Sequence, residues 1–457
     1  MYHFFLDMKY LLGSEFVQER IREEERYLLQ FLDLVKLHQG ICPNVRAIGE
    51  HLEFESEAWI SASLITREIN KLCRHFAESF TWNSDEDITN IRRAIRAAAK
   101  VVTVNSLGAE RRRFDQTELR EETKFKTLEV LEFDAEPSTF FGPSYKVVDY
   151  VVAKEPMSFH HALHYTLSWL LDRARSMPRN EILQLLEFSH NELQADYSLA
   201  NVVVPYHEPG EYLLALFDFP LRVCAWLAQM KAGIWVRNGI TLKHQMTQYR
   251  SVSQRDVSHQ RDLFLLQSAL VLCNPSVFLA TMIDRYGLTG WMTGKYEAAQ
   301  HGFEDSQAIE VVEDFIHLLI IILTERTSLI PTEENQESQQ AAMRRDIAHI
   351  LCFKPLSFSE MTTRLSDRVQ NMDEFPAVLS EMTRFRAPEG LSDSGTFELK
   401  EQYLDLIDPY LPQYNRNQRE EAEMTYKTYM AKKTGKQAGD IVSVSYTHLT
   451  LPTILRV

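Results

Sequence analysis

The densest group of side chains able to do chemistry lies in FHHALH (159–164), which carries His160, His161 and His164. His160 and His164 stand four apart, the step that would put two imidazoles on one helix face, where they could share a metal. No H-E-x-x-H accompanies them, and no carboxylate or thiol is evident nearby in the sequence. Packing or capping is therefore preferred to a metal site, which needs converging ligands. His38 and Cys42 make an H-x-x-x-C spacing, but Gly40 and Pro43 fall within and beside it, and a structural turn is the better reading. Ser, His and Asp all occur without a G-x-S-x-G elbow to place a nucleophile. No G-x-G-x-x-G or Walker loop is present to cradle a phosphate. Asp85, Glu86 and Asp87 sit where a helix N-terminus favours negative charge, so the helix dipole accounts for them without catalysis. No residue is assigned a catalytic, cofactor-binding or metal-binding role.

The elements that would position these groups are mainly helical. From Ser14 to about Phe80 the pattern is that of helices. Phe31, Leu34, Val35 and Leu37 form one expected stripe, ended by Gly40 and Pro43. Ile60, Leu64, Ile69, Leu72 and Phe76 form another, spaced as one helix face requires. Residues 87–104 read as an Ala-rich helix studded with Arg92, Arg93 and Arg96. FKTLEVLEF (125–133) and YKVVDYVV (145–152) are β-prone and flank a turn-rich EPSTFFGPS, which predicts a small hairpin inserted among helices. Further helices are expected over 159–171, 179–192, 212–236, 258–272, 275–286 and 306–325. No internal repeat of fixed period is found, so a regular solenoid is not expected.

TEENQESQQ (332–340) is a polar stretch and the best domain boundary. After it come MRRDIAHILCF, ended by Lys354-Pro355, and SFSEMTTRL, in which Ser357 and Glu360 have capping-box spacing. A third helix follows, capped by Asp373 and running to Arg384. FRAPEGLSDSGTFELK then reads as two strands around a Gly-rich turn. Three helices and a hairpin make a winged-helix arrangement. The expected organisation is thus an irregular helical array over 1–331 with a hairpin at about 124–152, and a linker at 332–341. A winged-helix domain at 342–412, the start of a charged helix at 413–438 and a tail at 439–457 complete it.

A winged helix raises the question of DNA. Its third helix, DEFPAVLSEMTR, sets Asp373, Glu374 and Glu381 against Arg384. A helix that enters the major groove should lead with Arg, Lys, Asn or Gln. This one would be repelled, and a protein-binding or architectural role is preferred. The whole chain is acidic as well, with net charge −15 over 457 residues, which disfavours bulk binding to phosphate backbones. At 45% hydrophobic and 25% charged, the chain has the composition of a globular protein. Five scattered cysteines, Cys42, Cys73, Cys224, Cys273 and Cys352, include no C-x-x-C. They argue against a disulfide framework or a zinc ribbon, and reduced thiols in a cytosolic or nuclear compartment fit best. The N-terminus has no basic n-region or small-residue cleavage site and does not read as a signal peptide. The greasiest run, VVEDFIHLLIIIL (311–323), falls short of the roughly 20 residues a bilayer needs and reads as a core helix.

LQFLDLVKLHQGICPNVR (29–46), HLEFESEAWISASLITREINKLC (51–73), YKVVDYVVAKEPMSFHHALHYTLSWLL (145–171) and IWVRNGITLKHQMTQY (234–249) together resemble the central region of the large UBR-box N-recognins. These are RING-type E3 ubiquitin ligases that select proteins by destabilising N-terminal residues. IAHILCFKPLSFSEMTTRL and GTFELKEQYLDLIDPY resemble that family's winged-helix domain, and the charged helix after them looks like the start of the helix that leads towards the RING. The resemblance covers nearly everything before about Ala438, on long collinear stretches rather than one short motif. It implies ubiquitin transfer from an E2 cysteine to a substrate lysine, with no covalent intermediate on the ligase. The partners implied are an E2, ubiquitin and N-degron substrates, reached through the full-length protein, with neither nucleic acid nor membrane. The family's zinc belongs to its UBR box and RING. Neither these nor its ClpS-like domain has a counterpart here, so no site residue carries over and no cofactor is expected. A scaffolding role and an inactive fragment are the expectation. The alternative is a non-enzymatic helical adaptor whose winged helix binds a protein. SYTHLTLPTI resembles adaptor-derived read-through, and Met1 reads as an internal methionine; both suggest a truncated gene product.

Overall fold

The structure, a computed structural model, describes residues 2–41, 57–107, 125–129, 144–155, 157–194, 209–235, 239–292, 303–325, 336–388, 390 and 394–443. It divides into two compact units. The first comprises residues 1–249 and 257–316, the second 250–256 and 317–457.

The first unit is a helical array. It opens with α1 (Tyr2–Leu12), α2 (Glu15–Glu23), α3 (Glu25–Lys36), α4 (Glu57–Glu78) and α5 (Asp85–Leu107). A hairpin of β1 (Phe125–Glu129) and β2 (Ser144–Val148) follows, then α6 (Ala162–Arg173), α7 (Arg179–Leu186), α8 (His190–Gln194), α9 (Pro209–Lys231) and α10 (Gly239–Arg250). The last helices of the array are α11 (His259–Leu272), α12 (Pro275–Arg285), α13 (Thr289–Met292) and the first part of α14 (Asp305–Thr324), whose residues from His317 on belong to the second unit. α6 is its hub and packs against α3, α4, α5 and α11. Nine of its twelve residues are buried, which matches a segment apolar on most faces.

The buried stripe of α3 is Leu28, Phe31, Leu32 and Val35. Leu37, expected on that stripe, lies past the last helical turn and is exposed. The 3.6-residue period selects positions 28, 31/32 and 35, so Leu34 is only half-buried. In α4, Ile69, Leu72 and Phe76 are buried as expected, whereas Leu64 faces solvent. Phe76 stacks on Phe31 at 4.0 Å, which locks α3 to α4. The hairpin pairs antiparallel from Phe125↔Val148 to Glu129↔Ser144; residues 130–143 lie outside the described ones. The single helix expected over 179–192 is two, α7 and α8. The Arg96 guanidinium intrudes at the break, accepted by the Gln184, Leu185 and Glu187 carbonyls and lying 3.9 Å from the Phe188 ring. Tyr212–Lys231 is long and apolar enough to cross a membrane by length and composition, and an 18-residue run within it is 94% buried.

The second unit contains α15 (Gln336–Leu351), β3 (Leu356–Ser357), α16 (Phe358–Thr362), α17 (Asp367–Gln370), α18 (Phe375–Met382), β4 (Thr383–Arg386), β5 (Thr396–Leu399) and α19 (Arg416–Thr434). Its sheet has the order β3-β5-β4, antiparallel throughout. Helices 15, 16 and 18 close one core through Ile347, Leu351, Met361, Phe375, Leu379 and Met382. This is a winged helix. Gln336 to Ala341, read from sequence as linker, are the first turns of α15. The third helix is shorter than expected. It ends at Met382 because residues 383–386 extend to pair with β5, Phe385 opposite Phe397. Glu374, not Asp373, is its N-cap residue and makes no side-chain cap bond. The expected capping box is present at α16: the Glu360 amide donates to Ser357 Oγ at 3.3 Å and the Ser357 amide to Glu360 Oε2 at 2.9 Å. Ser357→Ala is expected to destabilise this unit by about 1 kcal/mol in urea unfolding, the usual cost of removing an N-cap hydroxyl. α19 carries its own capping box at Asn415 and ends on Gly435 at φ 72°, where a Cβ would be strained. Residues 444–457, most of the segment read as an adaptor-like tail, lie outside the described ones.

Candidate functional site

The three histidines come together, but not as a helical pair. α6 begins at Ala162, so His160 precedes it and His161 is its N-cap residue. His160 and His164 therefore do not share a helix face. His161 and His164 lie edge-to-face with ring centroids 5.8 Å apart, and all three rings are buried. His161 Nε2 donates to Asp262 Oδ1 at 2.8 Å. The Tyr249 hydroxyl donates to the other oxygen of the same carboxylate. Gln39 is oriented by the Leu163 amide, which donates to its Oε1 at 3.0 Å. Its Nε2 then donates to His164 Nδ1 at 3.2 Å, so the His164 proton sits on Nε2. The Gly40 amide, at φ 69°, donates to the His160 carbonyl at 2.7 Å. Ser158 Oγ accepts from the His160 amide at 2.9 Å and donates to the Ile41 carbonyl.

Asp262 is the carboxylate that sequence reading missed, 101 residues from His161. It sits in α11, and no local spacing could have linked it to the histidines. Burial holds His160 down at about 3, helped by the neighbouring His161 and His38. Burial likewise holds His164 well below the ordinary imidazole range. Buried imidazoles and their partners tie the turn after α3, the start of α6, α10 and α11 into one network. Zinc does not fit here. His161 and Asp262 are bonded to each other, and among the described residues no three His, Cys, Asp or Glu side chains converge to hold a metal.

A second buried group joins the hairpin to the helices. Asp218 of α9 receives Arg222 through Nε at 2.8 Å, and Arg285 of α12 through Nε at 2.8 Å and Nη2 at 3.0 Å. Arg285 also donates to the carbonyls of Val148 at 2.8 Å and Tyr150 at 3.3 Å. The Arg222 guanidinium lies 3.9 Å from the Tyr150 ring centroid. Burial works to raise Asp218, but Arg222 and Arg285 outweigh it and hold the carboxyl at about 2. Lys126 of β1 reaches Asp284 at 2.7 Å. The hairpin base is thereby clamped by charge-assisted bonds. One signal was available in the sequence: Asp218 and Arg222 stand four apart in an otherwise apolar helix.

The remaining candidates have structural surroundings. Asp85, Glu86 and Asp87 form the first turn of α5, where the Ser84 hydroxyl accepts from the Asp87 amide at 3.1 Å. His38 is half-buried and edge-on to Phe5 at 5.9 Å; Cys42 lies outside the described residues. In the winged helix, Glu381 accepts from Arg344 at 3.0 Å and from the Tyr403 hydroxyl at 2.9 Å. Lys400 covers the Glu381 carbonyl at 2.6 Å. The end of the third helix is thus engaged by its own domain, and Arg384 lies on β4 rather than on that helix.

A family model described as the UBR1/2/3-like ARM repeat domain matches residues 1–318. This chain belongs to that family. A second model, the UBR1-like winged-helix domain of E3 ubiquitin-protein ligases, matches residues 342–441. Among curated relatives, the E3 ubiquitin-protein ligase ubr1 of Schizosaccharomyces pombe is 31% identical over 99% of this chain and 21% of its own length. Mouse UBR1 is 27% identical over 93% of the chain and 22% of its own length, and human UBR1 is 25% identical over 93% and 22%. The chain spans about a fifth of the length of these UBR relatives. Their UBR box and RING are not among the matched models. In the UBR-family array, then, the buried histidine network and the Asp218 cluster are devices that hold helices and hairpin in register.

Proposed function

We propose that this region is the scaffold of an E3 ubiquitin ligase of the N-degron pathway. Its task is to hold N-degron-binding modules and an E2-engaging RING, both supplied by other parts of the ligase, at a working separation. The observation that carries this reading is the collinear match of an ARM-repeat model and a UBR1-like winged-helix model along one chain. The parent reaction passes ubiquitin from an E2 thioester to a substrate lysine. The lysine amine attacks the carbonyl, the C–N bond forms, the C–S bond breaks, and the E2 thiolate leaves. A scaffold contributes by proximity, which alone can supply several kcal/mol of a barrier.

The thiol chemistry of the chain agrees with this division of labour. Cys73, Cys224, Cys273 and Cys352 are buried thiols. Burial pushes the Cys73 and Cys273 thiols to about 12 and that of Cys352 to about 11, far from a reactive thiolate. None of these offers a landing site for ubiquitin, and zinc is assigned to the parent's UBR box and RING alone. The chain by itself is expected neither to accelerate discharge of a ubiquitin-charged E2 onto free lysine nor to form a thioester with ubiquitin. A longer chain that includes a RING is expected to accelerate discharge. Faster discharge by this chain alone, or a reducible ubiquitin adduct on it, would overturn the assignment. The reading as a winged-helix DNA binder is disfavoured by the engagement of Glu381 with Arg344, Tyr403 and Lys400.

A further inference from the structure

Helix α14 has two apolar faces, and only one is used within the fold. Val311, Phe315, Leu318 and Ile322 are buried. On the opposite side, Ile309, Ile316 and Leu323 recur every seven residues and are 61%, 45% and 41% exposed. Ile320 falls on the same line and is half-buried. At 100° per residue these four positions lie within about 60° of one another, a straight strip some 20 Å long. Isolated exposed apolar residues need no explanation, but a strip at heptad spacing is the seam that another helix fills with its own side chains.

Charge selects the occupant. Asp305–Thr324 contains no Lys or Arg. Glu310 and Glu313, both exposed, line one long border of the strip. A second copy of α14 would set acid beside acid. An anionic lipid surface would be repelled in the same way. We infer that this face of α14 docks a basic amphipathic helix from a second polypeptide, with apolar residues every three or four positions and Lys or Arg along one border. The inference does not depend on the ubiquitin-ligase reading, so either can fail alone.

The test uses the full chain and two labelled synthetic helices of about twenty residues. Both carry Leu and Ile on one seam; one has Lys along its borders and its twin has Glu. In fluorescence anisotropy the Lys probe is expected to bind in the micromolar range, more weakly as salt rises, and the Glu twin at least about tenfold more weakly. Ile309→Glu and Ile316→Glu should each cut Lys-probe binding about tenfold or more while the thermal midpoint holds, because both side chains are exposed. Glu310→Lys should narrow the preference between the probes, an effect that simple apolar adhesion would not produce. Equal binding of the two probes would overturn the inference. So would binding unchanged by Ile309→Glu, or a dimer of this chain that Ile316→Glu dissociates.

Discussion

Replacing Asp218 by alanine is expected to destabilise the helical unit by about 3–5 kcal/mol, the cost of leaving buried cations without their counter-charge. Two guanidiniums would lose the carboxylate they share. Arg222 and Arg285 are both buried and both converge on this carboxylate. Arg285 would keep Asp284 and the Val148 and Tyr150 carbonyls, so the hairpin base should loosen rather than detach. All six tryptophans lie at positions within the helical unit, between Trp59 and Trp291. Indole fluorescence in a urea titration therefore reports that unit alone. Replacing Asp218 and Arg222 together by apolar residues of similar size should cost less than Asp218→Ala, because fewer charges remain unpaired. A double variant as unstable as the sum of its parts would show that the three groups do not act as a cluster. The sign of the pH dependence follows from the depressed pKa. The folded carboxyl titrates at about 2, below its ordinary 3.8. Its stabilisation is in place above about pH 4 and is lost as pH falls towards 2.

The same cluster shows where local sequence stops informing. Helix positions follow from apolar periodicity, and the Ser357–Glu360 box was readable because its partners are three residues apart. The hairpin was readable from two β-prone runs around turn residues. Asp218 meets Arg285 across 67 residues, and His161 meets Asp262 across 101. Such pairs are set by how helices stack, which no spacing rule encodes. FHHALH continues an apolar run, which by itself suggests a helix that includes His160. In the fold the Gly40 turn and Ser158 take up the backbone groups around His160 and delay the helix to Ala162. The third helix of the winged-helix domain is shorter than its local sequence suggests, for a related reason. Thr383 and Arg384 suit a helix locally, but pairing with Leu399 and Glu398 draws them into the sheet. The ARM repeat named by the family model has no fixed sequence period, since helices of 4 to 23 residues carry the array. A repeat of stacking survives such length changes when a repeat of sequence does not.

The contribution of His349 to the stability of the winged-helix unit should be lost on mild acidification. Its Nδ1 donates to the Arg345 carbonyl at 2.7 Å, and its Nε2 accepts from the Asp408 amide at 2.8 Å. That geometry needs the neutral ring. A proton on Nε2 would face the Asp408 N–H head-on. Burial, then the nearby Arg345, lowers His349 to about 4, against the opposing pull of Asp408 and Glu325. The unfolded ring takes up its proton near pH 6.5 and the folded ring only near 4. The stabilisation is thus full above about pH 6.5 and declines through that window, by on the order of 3 kcal/mol at its lower end. Asp346, pushed up to about 6 by burial, has the opposite sign: its contribution is present at low pH and fades as pH rises through 6. A raw stability profile would mix the two, so the comparison of variants decides. His349→Gln can offer a donor to the Arg345 carbonyl and an acceptor to the Asp408 amide without titrating. Hydrogen exchange across α15 should then show a flatter stability profile between pH 6.5 and 4 for His349→Gln than for the parent chain. His349→Ala should instead be weaker at every pH, because it leaves the Asp408 amide without its acceptor. If His349→Gln kept the full acid slope, the slope would belong to another group. If His349→Ala matched the parent at neutral pH, the imidazole would not be what fastens residues 407–414 to α15, where Ile407, Leu411 and Tyr414 pack with Cys352 and Ala422 of α19.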